Sequence, residues 1–95
     1  MNRILVVDDE ESIREVLKIF LQKLGFEVEV AGNSQEAIEK ITKDIYDIII
    51  TDLVLEEEKS GLEILKSVKE YLPYSEVIVI TGFGTIESAV EAMKL

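Results

Sequence analysis

The chain has 95 residues, no Cys, no His and no Trp, and 20 acidic side chains against 10 basic ones give a net charge of −10. That length suits one domain, and the missing Cys and His exclude a disulfide framework, a thiolate zinc site and any His-based acid–base relay. The acidic balance repels phosphate backbones and anionic membranes, so neither nucleic acid nor a membrane is an expected partner of this segment.

Ile4-Leu5-Val6-Val7 is a continuous apolar run, the pattern of a parallel strand buried on both faces. It is too short for a secretory or membrane-spanning segment, and a cytoplasmic location is the default expectation. Ile13, Val16, Leu17, Phe20, Leu21 and Leu24 then recur at helical spacing. Ser12 with Glu15 reads as a capping box at that helix's start, and Gly25 as its stop. Phe26-Glu27-Val28-Glu29-Val30 alternates, which suits an edge strand whose wetted face is blunted by two glutamates. Ala37, Ile38 and Ile41 mark a second helix, with Asn33 and Glu36 as its cap pair. Ile48-Ile49-Ile50 is the next buried-type strand. Leu62, Leu65 and Val68 mark a third helix, opened by Ser60 and Glu63 and followed by Pro73, the only proline. Val77-Ile78-Val79-Ile80 is the last apolar run, and Ile86, Ala89, Val90 and Met93 mark a fourth helix. Strands alternating with helices build a parallel sheet with helices on both faces, joined by right-handed crossovers. In such sheets the functional crevice lies at the carboxyl ends of the strands.

The residues that follow the strands are therefore the ones to inspect. Asp8, Asp9 and Glu10 follow the first run, Thr51 and Asp52 the third, and Thr81 and Gly82 the fourth. If the first, third and fourth strands are neighbours, three aspartates converge at one rim beside a hydroxyl. A lone aspartate after a strand is as well explained by helix capping. Two adjacent acids with Asp52 and Thr81, all at strand ends, go beyond capping. Clustered carboxylates need a cation to stay ionised. With only oxygen ligands on offer, Mg²⁺, Mn²⁺ or Ca²⁺ fits, and a site with room for water and a phosphate oxygen suits Mg²⁺.

These segments resemble the receiver domain of a two-component response regulator. The likeness rests on Ile4 through Glu10, Asp47 through Leu53, Gly61 through Leu65 and Val77 through Gly82, in the family's order. The stretch from Thr81 through Lys94 resembles receivers of sigma-54-dependent, nitrogen-regulator-like activators. The resemblance implies a flavodoxin-like, doubly wound α/β fold with strand order 2-1-3-4. It implies that Asp52 is the phosphoacceptor, taking a phosphoryl group from a sensor histidine kinase. Asp9, Asp52 and the backbone carbonyl of Val54 would ligate Mg²⁺, and Asp8 would act through water. The Thr81 hydroxyl and the Gly82 amide would contact the phosphate, and the stretch 81–95 would switch. Such a domain accepts a phosphoryl group and is not a turnover enzyme.

The sequence also departs from the family. Leu55-Glu56 stands where the family shows a Met-Pro pair, and the following glycine, Gly61, falls about one residue late. The family's fifth strand and helix, with a functional lysine, have no counterpart within residues 1–95. The expectation is a receiver domain incomplete at its C-terminus, with an output domain beyond residue 95, such as a sigma-54 activator ATPase. The exposed strand edge would leave the fragment unstable as a monomer or paired as a homodimer. A rival, phosphorylation-independent interaction module accommodates the odd loop. A dinucleotide site at Gly82-Phe83-Gly84 is disfavoured by Glu87 at the third glycine position. A haloacid-dehalogenase-type phosphatase wants an acid where Val54 stands.

Overall fold

In a computed structural model of the chain, residues 2–52 and 60–80 are described. They form β1 (Arg3–Val7), α1 (Glu11–Lys23), β2 (Glu27–Ala31), α2 (Ser34–Lys43), β3 (Ile48–Asp52), α3 (Ser60–Tyr71) and β4 (Glu76–Ile80). The sheet is parallel throughout, in the order β2-β1-β3-β4. The strand order and the first seven elements match the sequence reading. The expected fourth helix, the loop around Leu55–Glu58 and the Ser60 cap lie outside what is described.

β1 explains why its sequence is apolar without alternation. Leu5 and Val7 face one layer, with Ala37, Ile41, Tyr46, Ile49, Ile64 and Val68. Ile4 and Val6 face the other, with Val28, Ile50 and the α1 residues Leu17 and Leu21. α2 and α3 pack together over the first layer, while α1 lies over β1 and β2.

α1 ends as its sequence dictates. The Gly25 N–H donates to Gln22 O at 3.0 Å and Phe26 N–H to Leu21 O at 3.2 Å. This pair of bonds needs a left-handed residue, and Gly25 supplies it at φ +97°. The helix start differs from expectation. Glu10 is the N-cap, no side chain caps it, and Ser12 sits inside the first turn. The capping box fails because the acid-rich turn before it already organises the entry, as described below. α2 begins as expected, with Asn33 Oδ1 accepting from the Glu36 N–H at 2.8 Å.

β4 departs from the buried-strand pattern. Ile78 is 50% exposed and Ile80 42%. Register sets Ile78 beside Ile50 and Ile80 beside Asp52. Both isoleucines thus lie on the α1 side of the sheet, where α1 packs chiefly on β1 and β2 and reaches no further than the edge of β3 among the described residues. Val16, Phe20 and Leu24 of α1 are exposed as well. The continuous apolar run reports the residue types of β4 correctly but not what covers them.

The amino ends of the strands are tied by charge. The Arg3 guanidinium pairs with Glu29, with Glu27 at 3.5 Å and with Asp44 at 3.9 Å, and it stands 5.0 Å over the Tyr46 ring. Lys40 Nζ is 3.2 Å from Glu29, and the Tyr46 hydroxyl donates to the same carboxylate at 3.1 Å. The Arg3 N–H donates to Asp47 Oδ2 at 2.8 Å. Glu29, expected only to wet an edge, is instead the hub of this network.

Candidate functional site

The rim at the opposite end of the strands follows from register. Val7 is paired with Thr51 across β1 and β3. One step further along each strand stand Asp8 and Asp52, so the two acids emerge side by side. The ladder to β2 continues through the Asp8 N–H, which donates to Ala31 O at 3.1 Å. Thr51 is fully buried, and its hydroxyl donates to the Asp52 carbonyl at 3.0 Å. That bond uses the Thr51 hydroxyl to hold the backbone of the residue beside it.

Asp8 is the most enclosed of the acids, only 5% exposed, while Asp9 and Asp52 are half-buried. The Glu10 N–H donates to Asp8 Oδ1 at 2.9 Å, which folds the acid-bearing turn back on itself and sets the entry into α1. Burial pushes the Asp8 carboxyl above the usual carboxylate range. The Glu10 amide pulls it down, but the neighbouring charges of Asp52 and Asp9 push it further up. The sequence-predicted trio Asp8, Asp9 and Asp52 is thus brought close enough for its members to repel. Val54, Thr81 and Gly82 lie outside the described residues.

The donor set is hard and anionic. Among the described residues no three acidic, His or Cys side chains already form a ready-made ligand group. Mg²⁺ does not require one, since it usually keeps several waters and takes one or two carboxylates. The oxygen-only rim therefore fits that ion, and the repulsion that Asp52 and Asp9 exert on the buried Asp8 is what a divalent cation would relieve.

One residue of this rim escaped the sequence reading. Arg14, in the first turns of α1, donates from Nη1 to the Asp8 carbonyl at 2.7 Å. The signal that could have found it is a lone cation among Glu10, Glu11 and Glu15, about two helical turns after the acid pair.

Comparison with known proteins agrees with this geometry. The profile of the response regulator receiver domain matches residues 4–95. The chain is 41% identical over 93 residues to a putative NtrX-like response regulator of Rickettsia bellii, covering 97% of this chain and 20% of that protein. It is 35% identical over 91 residues to the transcriptional regulatory protein ZraR of Klebsiella oxytoca, covering 96% and 20%. The chain thus spans about a fifth of the length of these curated relatives. Among solved structures, a CheY-like receiver domain from Methanospirillum hungatei superposes with a TM-score of 0.93 at 30% identity, over 99% of this chain and 74% of that one. TrrA from Thermotoga maritima, solved with Mg²⁺ and beryllofluoride, gives 0.85 at 35% identity, over 98% and 80%. A Burkholderia pseudomallei response regulator, solved with a phosphorylated aspartic acid, a calcium ion and citrate, gives 0.91 at 29% identity, over 99% and 55%. The chain belongs to the response regulator receiver domain family, the signalling modules of two-component systems.

Proposed function

We propose that residues 1–95 act as a phosphoacceptor domain in which Asp52 receives a phosphoryl group from the phosphohistidine of a sensor histidine kinase. A carboxylate oxygen of Asp52 forms the new O–P bond, the P–N bond of the phosphohistidine breaks, and the kinase imidazole departs with the electron pair and takes up a proton. The observation that carries this reading is the register that sets Asp52 beside the buried Asp8, with Asp9 adjacent, so that burial and the two neighbouring carboxylates raise the Asp8 carboxyl. A nucleophile of this kind must approach an anionic phosphoryl group, so the rim has to be neutralised first.

Asp9, Asp52 and the Val54 carbonyl would hold Mg²⁺, with Asp8 acting through water. Bound there, the ion supplies charge neutralisation for the phosphoryl oxygens. Asp8 keeps the rim anionic and orders the turn through the Glu10 amide. The Thr51 hydroxyl fixes the Asp52 backbone. The Thr81 hydroxyl and the Gly82 amide would receive the transferred group, and the stretch 81–95 would carry the change to an output domain beyond residue 95. The relatives that support this reading are regulators of the NtrX and ZraR kind, so a sigma-54 activator is the output domain we assign. The domain works in the cytoplasm, is consumed once per phosphorylation rather than turning over substrate, and homodimerises.

The test is incubation of the full-length protein with Mg²⁺ and acetyl phosphate, read by intact mass. Wild type should gain one phosphoryl group and Asp52→Asn none. Equal uptake by both would place the acceptor elsewhere. No uptake by either would leave the phosphorylation-independent interaction module.

A further inference from the structure

Three hydrogen bonds converge on Asp8. Its N–H is bound to Ala31 O at 3.1 Å, its Oδ1 accepts from the Glu10 N–H at 2.9 Å, and its carbonyl accepts from Arg14 Nη1 at 2.7 Å. The first belongs to the sheet and the second to the turn. The third comes from a long side chain that crosses from α1 back to the strand ends.

Arg14 makes this bond in the presence of better electrostatic partners. Glu10, Glu11 and Glu15 are its sequence neighbours, yet no carboxylate among the described residues lies within ion-pair distance of it. A guanidinium that takes a neutral carbonyl in so acidic a segment is held there by geometry. Gly32 supplies that geometry. A Cβ on Gly32 would sit 3.2 Å from Arg14 Nη1, 3.5 Å from Cζ and 3.8 Å from Nη2. The guanidinium therefore occupies the space that a side chain at the end of β2 would fill. Gly32 is not in the left-handed region that Gly25 adopts, so its backbone does not call for glycine. Room for Arg14 does.

We propose that Arg14 and Gly32 form a clamp that positions the acid pair: the guanidinium, seated on Gly32, pins the Asp8–Asp9 peptide plane and so fixes the direction in which Asp9 presents its carboxylate. Arg14 is a positioning residue and touches no reacting atom. The Asp8 carbonyl belongs to the peptide unit that leads into Asp9. With that plane held on one side by Arg14 and the Asp8 carboxylate held by Glu10, the turn between β1 and α1 keeps one conformation without a cation. The rim is then preorganised to receive one. Groups that orient metal ligands in this way typically change affinity by about tenfold or more when removed.

The inference rests on the cation-dependent reading proposed above, and the experiment separates the two. In the full-length protein, amide exchange at Glu10 is followed by NMR without divalent cations, and Mg²⁺ affinity is followed by titration. Arg14→Ala should speed Glu10 exchange and weaken Mg²⁺ about tenfold. Arg14→Lys, which can still donate one bond, should recover part of both. Gly32→Val leaves Arg14 in place but crowds it, and should reproduce the loss in weaker form. Val68→Ala, which opens the core under α3, should lower overall stability without moving either readout. Unchanged Glu10 exchange in Arg14→Ala would overturn the clamp, as would faster exchange with full Mg²⁺ affinity. Should wild type bind no Mg²⁺, the phosphoacceptor reading falls, and the exchange measurement alone decides the clamp.

Discussion

The two ends of the sheet treat the same residue type in opposite ways. At the amino ends, Glu29 is as charged as any acid of the rim but is met by Arg3, Lys40 and the Tyr46 hydroxyl. Burial pulls its carboxyl upward, yet the hydrogen bonds from Lys40 and Tyr46 and the charges of Lys40 and Arg3 outweigh that and hold it below the usual range. Tyr46 shifts the other way, since burial and the Glu29 carboxylate push its phenol above the ordinary value and keep it a proton donor. At the carboxyl ends, burial raises the Asp8 carboxyl, and the charges of Asp52 and Asp9 add to that rise where cations lower Glu29. One end is electrostatically closed and the other is left open, in a fold whose strands run all one way. The closed end contributes stability, whereas burial and like charge cost some at the open end, a cost that a divalent cation would relieve on the function proposed above.

Breaking the closed end should produce the largest effect. Tyr46 is fully buried and fills the layer under α2 and α3, so Tyr46→Ala should cost about 3–5 kcal/mol in urea unfolding. A cost below about 1 kcal/mol would show that the ring is not a core element. Arg3→Met keeps the stem but leaves Glu27, Glu29 and Asp44 without their shared cation. Partial solvent exposure limits the expected loss to about 2 kcal/mol, read from the same titration.

The open end should respond with the opposite sign. Asp8→Asn keeps an acceptor for the Glu10 amide while removing one of three repelling charges. In metal-free buffer it should raise stability by about 1 kcal/mol, and it should lose most of the thermal shift that Mg²⁺ gives wild type. A metal-free loss of stability would mean that the rim carries no repulsion.

The smallest effect is a pH dependence. The Glu29 carboxyl is held below its ordinary value of 4.5 in the folded chain, so it stabilises the fold above that value. The contribution is lost as pH falls through the lower, folded-state value. Glu29→Gln should therefore flatten the acid limb of a Tm-against-pH curve without changing its shape near neutrality. An unchanged acid limb would remove Glu29 from the account.

Much of this was legible in the residues. The apolar runs located the strands because burial on both faces leaves no room for polar alternation, and Asp8, Asp9 and Asp52 stood out because they follow those runs. Gly25 and Asn33 were legible because helix ends have local requirements that one residue meets. The misreadings share a cause in the third dimension. Ser12 resembles a cap only until the Asp8 carboxylate is seen taking the Glu10 amide. Glu29 resembles a solvated edge residue until Arg3, 26 positions away, is folded against it. Ile78 and Ile80 resemble core until α1 is seen to lie over the other half of the sheet. Arg14 has no strand-end position to advertise it, and only its reach across the turn reveals what it holds.

The pairing of Val7 with Thr51 has a further consequence, for how this chain can tolerate mutation. Because side chains alternate between faces, the spacing of Asp8 and Asp52 is set by counting residues, not by any contact between the two acids. Exchanges among Ile and Val within Ile48–Ile50 leave that count intact. Deleting one of the three isoleucines keeps the charge and nearly the whole composition, yet it swings Asp52 to the opposite face or pulls it a step below Asp8. The sheet core is thus a ruler, indifferent to which apolar residues mark it and intolerant of losing one mark.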